Sequence, residues 1–153
     1  MRIGVPKEIK VHEYRVGLVP ASVRELTHKG HAVAVETSAG AGVGFADSDY
    51  EAVGAEILPD AAAIFDAAEM VVKVKEPQPS EISLLKPDQV LFTYLHLAAE
   101  PEQTQGLVDT GSVAIAYETV TDDRGGLPLL APMSEVAGRM SIQVGAHCLE
   151  REQ

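Results

Sequence analysis

One cysteine, Cys148, stands in 153 residues, so no internal disulfide framework is available. A lone thiol fits a reducing cytosol and points to a cytoplasmic protein. Cations are also scarce: 12 Lys and Arg face 23 Asp and Glu, a formal net charge of −11. That balance excludes a nucleic-acid-backbone binder, which needs a basic face. It equally excludes adhesion to an anionic membrane. No apolar run approaches the roughly 20 residues that span a bilayer. Met1-Arg2-Ile3-Gly4-Val5 opens the chain as a strand rather than as a signal peptide. Repeats, low-complexity tracts and long linkers are absent. His12, His28, His31, His96 and His147 form no metal-ligand spacing such as H-x-x-x-H. No G-x-S-x-G elbow is present for a serine hydrolase.

What remains is an ordinary globular composition, 46 % hydrophobic and 23 % charged. The length suits one domain, or one lobe of something larger. Strand and helix signals alternate. Strands are expected at Arg2–Val5, His31–Glu36, Ala55–Leu58, Met70–Val74, Val90–Tyr94 and Ser112–Ala116. Helices are expected from Pro20 to the Gly30 stop, from an Asp47 cap to Gly54, over Ala61–Ala67 behind an Asp60 cap, over Ser80–Leu85 and over Glu100–Thr110. A last helix runs from Pro132 or Met133 to about Leu149, with Val136, Ala137, Met140, Val144 and Cys148 on one broad face. Gly138 and Gly145 inside it each cost about 1 kcal/mol against alanine, which a close helix contact would justify. The pattern predicts an α/β fold in three layers, a mostly parallel sheet with helices on both faces.

Right-handed crossovers put the strand carboxyl ends on one edge, where such sheets bind ligands. Arg15, Lys75, His96 and Glu118 follow different strands along that edge. Arginine grips a carboxylate bidentately, lysine polarises a carbonyl oxygen, and histidine moves protons near neutrality. The trio suits a small oxo-acid; it is equally what charges emerging beside surface loops look like. Lys73 lies two residues before Lys75, on the same strand face and deeper along the strand, and is expected to be dispensable for binding. Gly40-Ala41-Gly42-Val43-Gly44 follows a strand, but Phe45 takes the place of the third glycine of G-x-G-x-x-G. A tight turn or a pocket wall is the expected role for this loop.

Five segments carry a family resemblance: MRIGVPKE at 1–8, YRVGLVP at 14–20, VKVKEP at 72–77, LFTYLHLA at 91–98 and APMSEVAGRM at 131–140. Together they resemble the alanine dehydrogenase and pyridine nucleotide transhydrogenase family, and within it the alanine dehydrogenases. MRIGVPKE alone is also similar to the proton-translocating transhydrogenases. The resemblance implies an oxidoreductase that converts L-alanine, NAD and water to pyruvate, ammonia and NADH, and runs in reverse. It implies Arg15 and Lys75 as substrate-binding residues, Lys75 and His96 as catalytic ones, and Ser134 and Met133 at the cofactor. It further implies a homo-oligomer, commonly a hexamer. Family members are more than twice as long and carry NAD mainly on a second, Rossmann-type domain. The expected organisation is therefore a Rossmann-like but incomplete substrate domain over residues 1–131 and a long interdomain helix over 132–153. The NAD-binding domain is expected to lie outside these residues, and the chain is expected to be inactive alone. Two alternatives stand beside this reading: the amino-terminal part of a transhydrogenase subunit, and a non-catalytic assembly module.

Overall fold

The computed structural model describes residues 1–151. Its first compact unit is Met1–Ala116; the second starts at Tyr117. In the first unit six strands form one sheet: β1 (Arg2–Val5), β2 (Ala32–Glu36), β3 (Glu56–Leu58), β4 (Met70–Val72), β5 (Val90–Thr93) and β6 (Val113–Ala116). Every pairing is parallel, in the order β3-β2-β1-β4-β5-β6. The chain reverses its direction of growth between β1 and β4. There, two adjacent strands send their following loops apart and leave a crevice at their carboxyl ends.

The connecting helices are α1 (Pro20–His28), α2 (Asp47–Glu51), α3 (Ala61–Ala67), α4 (Pro79–Ile82) and α5 (Pro101–Thr110). They cover both faces, as the period-2 alternation of β4 makes plain. Met70 and Val72 pack into a cluster with Ile3, Val5, Val23 of α1 and Tyr50 of α2. Val71 packs into the other, with Phe65 of α3, Leu91 and Leu107 of α5. Gly4 sits where α3 crosses β1; a Cβ there would stand 2.7 Å from Ile64 Cγ2 and 2.8 Å from Ala68 Cβ. β6 is the edge strand, and Val113 and Ile115 on it are exposed.

Expected and observed elements differ at their ends for identifiable reasons. β4 stops at Val72 rather than Val74. Its register on β1 covers only Ile3↔Met70 and Gly4↔Val71, because β1 ends ahead of Pro6. On the other side bonding continues: Lys73 N donates to Phe92 O at 3.1 Å, and Tyr94 N to Val74 O at 3.3 Å. Asp47 is not the cap of α2. Ala46 holds that position, and its N–H donates to Asp49 Oδ2 at 2.8 Å. The Asp47 carboxylate instead accepts from Thr37 Oγ1 at 2.6 Å and Ser38 N at 2.7 Å, tying the turn after β2. Asp60 caps α3 as expected, accepting from Ala63 N.

The second unit contains a short 3₁₀ turn, Tyr117–Thr119, which includes Glu118, and the 18-residue α6 (Ala131–Cys148). No residue of α6 is buried, and a Cβ on Gly138 or Gly145 would meet nothing within 4 Å. The close contact expected at these glycines is therefore not made among the described residues. No helix of the described residues is long and apolar enough to cross a membrane.

Candidate functional site

The crevice at β1 and β4 is furnished by the loops that leave those strands. After β1 the chain runs through Lys7–Val19 before α1 begins. Gly17 seats this loop on β4: a Cβ there would lie 2.5 Å from Val72 O. Gly42 packs against the other side of the loop, where a Cβ would lie 2.6 Å from Tyr14 O. Arg15 is thus held between β4 and the glycine loop. A cavity of about 340 Å³ opens here, lined by Lys7, Glu8, Glu13, Arg15, Ser38 and Gly42 among others. The glycine loop is a pocket wall, as expected.

The Arg15 guanidinium is engaged side-on by Glu13. Nε donates to Oε1 at 2.8 Å and Nη2 to Oε2 at 2.6 Å, while Arg15 N also donates to Oε1 at 2.9 Å. This fork holds the Glu13 carboxyl below its ordinary range, with the nearby Lys75 charge adding to the effect. It raises the Arg15 guanidinium further, to which the proximity of Tyr94 and Glu8 also contributes.

Lys75 follows β4, partly exposed at 27 %. Its carbonyl accepts from Thr93 Oγ1 at 2.8 Å, which anchors the post-β4 loop to β5. Beside it, Glu76 is buried between two cations, Lys10 and Lys75 with Nζ at 3.9 Å, and the His96 ring, with Nδ1 at 3.5 Å. His96 follows β5, half-exposed, with its ring stacked on Tyr94 at 6.1 Å between centroids. Its φ of +51° is a left-handed conformation uncommon outside glycine. That one residue turns the chain from the end of β5 into the 3₁₀ turn Leu97–Ala99.

Arg15, Lys75 and His96 therefore come together on one rim, linked through Glu13 and Glu76. Met133 and Ser134 lie in the first turns of α6, in the second unit, and Glu118 lies in that unit too. Glu13, Glu76 and Tyr94 had no role in the sequence reading, although the Glu of Lys-Glu-Pro stands next to Lys75 in sequence.

Lys73 lies deeper than Lys75, in keeping with its place along the strand. It is fully buried, with Nζ 3.2 Å from Glu8 Oε2 and 2.7 Å from Glu81 Oε1. Glu8 Oε1 accepts from Val74 N at 2.6 Å, and Glu81 Oε2 from Gln78 N at 2.8 Å. Burial nonetheless pushes the Glu8 carboxyl up against the pull of Lys73. The triad joins the post-β1 loop, the post-β4 loop and α4. Lys73 is a structural cation beneath the site, not an incidental charge.

A dinucleotide does not fit the glycine loop. Gly40 is closed off by Tyr50, where a Cβ would meet the ring at 2.8 Å, and Gly42 by Tyr14. The glycines lead into a single 3₁₀ turn, Ala41–Val43, and the five-residue α2. No long helix N-terminus backs them to face a pyrophosphate. Among the described residues no group of three or more His, Cys, Asp or Glu could hold a metal ion.

The chain is similar in sequence and fold to known proteins. An alanine dehydrogenase from Halomonas elongata is 59 % identical over the whole chain, and one from Bacillus subtilis 59 % identical over 99 % of it. The chain spans about 40 % of the length of these relatives: 41 % and 39 %. A solved L-alanine dehydrogenase superposes with a TM-score of 0.91 at 58 % identity, covering 99 % of this chain and 42 % of its own. A transhydrogenase from Sinorhizobium meliloti superposes with a TM-score of 0.75 at 28 % identity, over 81 % of this chain and 37 % of its own. Residues 4–137 match the family model described as alanine dehydrogenase/PNT, N-terminal domain, and the chain belongs to that family.

Proposed function

We propose that the chain is the substrate-binding lobe of an NAD-dependent alanine dehydrogenase, which interconverts L-alanine, NAD and water with pyruvate, ammonia and NADH. One observation carries the reading: Arg15 and Lys75 flank the β1–β4 reversal, where a small anion has two cations within reach. Arg15 takes the substrate carboxylate in place of the Glu13 carboxylate that now occupies its fork. Lys75 donates to the carbonyl oxygen and stabilises the negative charge that develops on it. His96 gives or takes a proton at the same oxygen. The pair poises an iminopyruvate adduct for completion by an acid outside this chain.

The cofactor is held elsewhere, since the glycine loop does not fit it. Residues 1–131 serve as the substrate domain, and the helix from 132 onward leads toward the part that binds NAD. Met133 and Ser134 then form an edge of the cofactor site, by resemblance. A cytoplasmic homo-oligomer, a hexamer in the longer protein, is part of the same reading. The transhydrogenase alternative is supported by the shared family model and the 0.75 superposition. It is weaker, because identity there falls to 28 % against 55–59 % for several alanine dehydrogenases.

Calorimetry of pyruvate binding tests the proposal. The wild-type chain is expected to bind, and Arg15→Ala and Lys75→Met to lose the heat signal. Equal binding by wild type and Arg15→Ala would refute the assignment.

A further inference from the structure

We propose that Glu76 is a positioning residue: its buried carboxylate holds the Nδ1 side of His96, so that Nε2 is the nitrogen presented to substrate. The inference rests on the role given to His96 above and deepens it.

Glu76 is 6 % exposed, an unusual place for a carboxylate. Its two oxygens have different surroundings. Oε1 is closed by Lys10. Oε2 is buried and has no hydrogen-bond partner among the described residues; Lys75 Nζ and His96 Nδ1 stand just beyond hydrogen-bond reach at 3.9 and 3.5 Å. A buried acceptor left unsatisfied is destabilising, the more so when charged. Its cost is relieved by a small movement of a nearby donor. His96 is half-exposed and stacked on Tyr94, and its Nδ1 is the ring nitrogen that faces Oε2.

Glu76 itself is held. Pro77 follows it and restricts its backbone to extended conformations. Its carbonyl accepts from Gln78 Nε2 at 3.2 Å, and Pro79 then opens α4. The carboxylate is thus fixed, and the imidazole adapts to it.

The chemical consequence concerns the tautomer. A neutral imidazole carries one N–H, and a carboxylate facing Nδ1 selects the Nδ1–H form. The lone pair is then on Nε2, the ring nitrogen away from Glu76. The charged and titratable groups around the pair include Tyr94 against the ring, Lys75 on the same oxygen and Lys10 on the other. Lys75 shares the acceptor with His96, so Glu76 also limits where the ammonium can sit.

The test reads the tautomer directly, with no ligand. Long-range ¹H–¹⁵N correlation on the wild-type chain, on the basic side of the histidine range, should show His96 Nδ1 as protonated and Nε2 as unprotonated. His96→Asn identifies the signal among the five histidines. Glu76→Ala should lose this preference and give an averaged or reversed pattern, while the other histidines keep theirs. Should Glu76→Ala fail to fold, the wild-type spectrum still decides. A predominant Nε2–H form in wild type would overturn the proposal. So would an unchanged His96 pattern in a folded Glu76→Ala chain. The pyruvate titration is independent: its failure with an Nδ1–H His96 would remove the substrate reading and leave the Glu76–His96 coupling standing.

Discussion

At the scale of single residues, Glu13 and Lys73 carry the sharpest consequences. Glu13 sits on the Arg15 fork as a built-in carboxylate, so a bound substrate must work against it. Replacing it with the isosteric glutamine removes one negative charge beside the incoming anion. At surface-like separations that repulsion is worth about 1 kcal/mol, so Glu13→Gln should tighten pyruvate binding roughly fivefold by calorimetry. The same change alters acid behaviour. The Glu13 carboxyl lies below its ordinary value of 4.5 in the folded chain. Its contribution to stability is therefore present above that value and lost as pH falls through the folded pKa. The stability gap between wild type and Glu13→Gln, followed by urea unfolding, should close on going from pH 6 into acid. Lys73→Met leaves Glu8 and Glu81 buried without their shared cation. Breaking a buried pair in this way costs about 3–5 kcal/mol, visible as a lower urea midpoint. Adding Glu8→Gln and Glu81→Gln to Lys73→Met should recover part of it. These residues also mark how far the sequence could be read. The positions of Arg15, Lys75 and His96 at the carboxyl edge were legible because each follows a strand. Glu13 and Glu76 were not, because a glutamate in a polar loop looks the same whether it faces water or a guanidinium. Period-2 alternation placed Lys73 and Lys75 on one face, Lys73 the deeper along the strand, but carried no sign of the two carboxylates that enclose Lys73.

At the scale of elements, loop seating matters more than loop composition. The post-β1 loop is held down on β4 by the absence of a side chain at Gly17. A methyl group there would stand 2.5 Å from a backbone oxygen that cannot move without breaking the sheet. Gly17→Ala should lift the loop, cost about 1–3 kcal/mol by overpacking and weaken pyruvate binding through Arg15, which it never touches. Unfolding and calorimetry on the same sample check both. The strand and helix series was readable in order because alternation and caps are local signals. The cap of α2 was misassigned because Asp47 had two uses nearby, and the pairing partner it took, Thr37, lies ten residues back. The motive for Gly138 and Gly145 is not found in the described residues, and intrahelical sequence could not supply it.

At the scale of the whole molecule, the sheet order itself was not readable: alternation implies parallel strands but leaves their sequence across the sheet open. That order is what brings a loop at residue 15 beside one at residue 75. The glycine loop, spent on packing against Tyr14 and Tyr50, gives the chain no dinucleotide cradle among its described residues. Mixed with pyruvate, ammonia and NADH, the chain should therefore leave absorbance at the NADH band unchanged; enzymatic consumption would contradict the division of labour proposed above. The β1–β4 pairing has one more consequence, for assembly in time. It joins Ile3 to Met70, so about half the sheet must be in hand before the pair can close. Non-local pairings of this kind are slow, because loop closure is paid for before contacts reward it. Arg15 and Lys75 meet only when that seam forms, so the anion site proposed above depends on it. If the site proposed above takes pyruvate, the ligand binds only after that seam has closed: added at the start of refolding it should leave the folding rate unchanged while slowing unfolding.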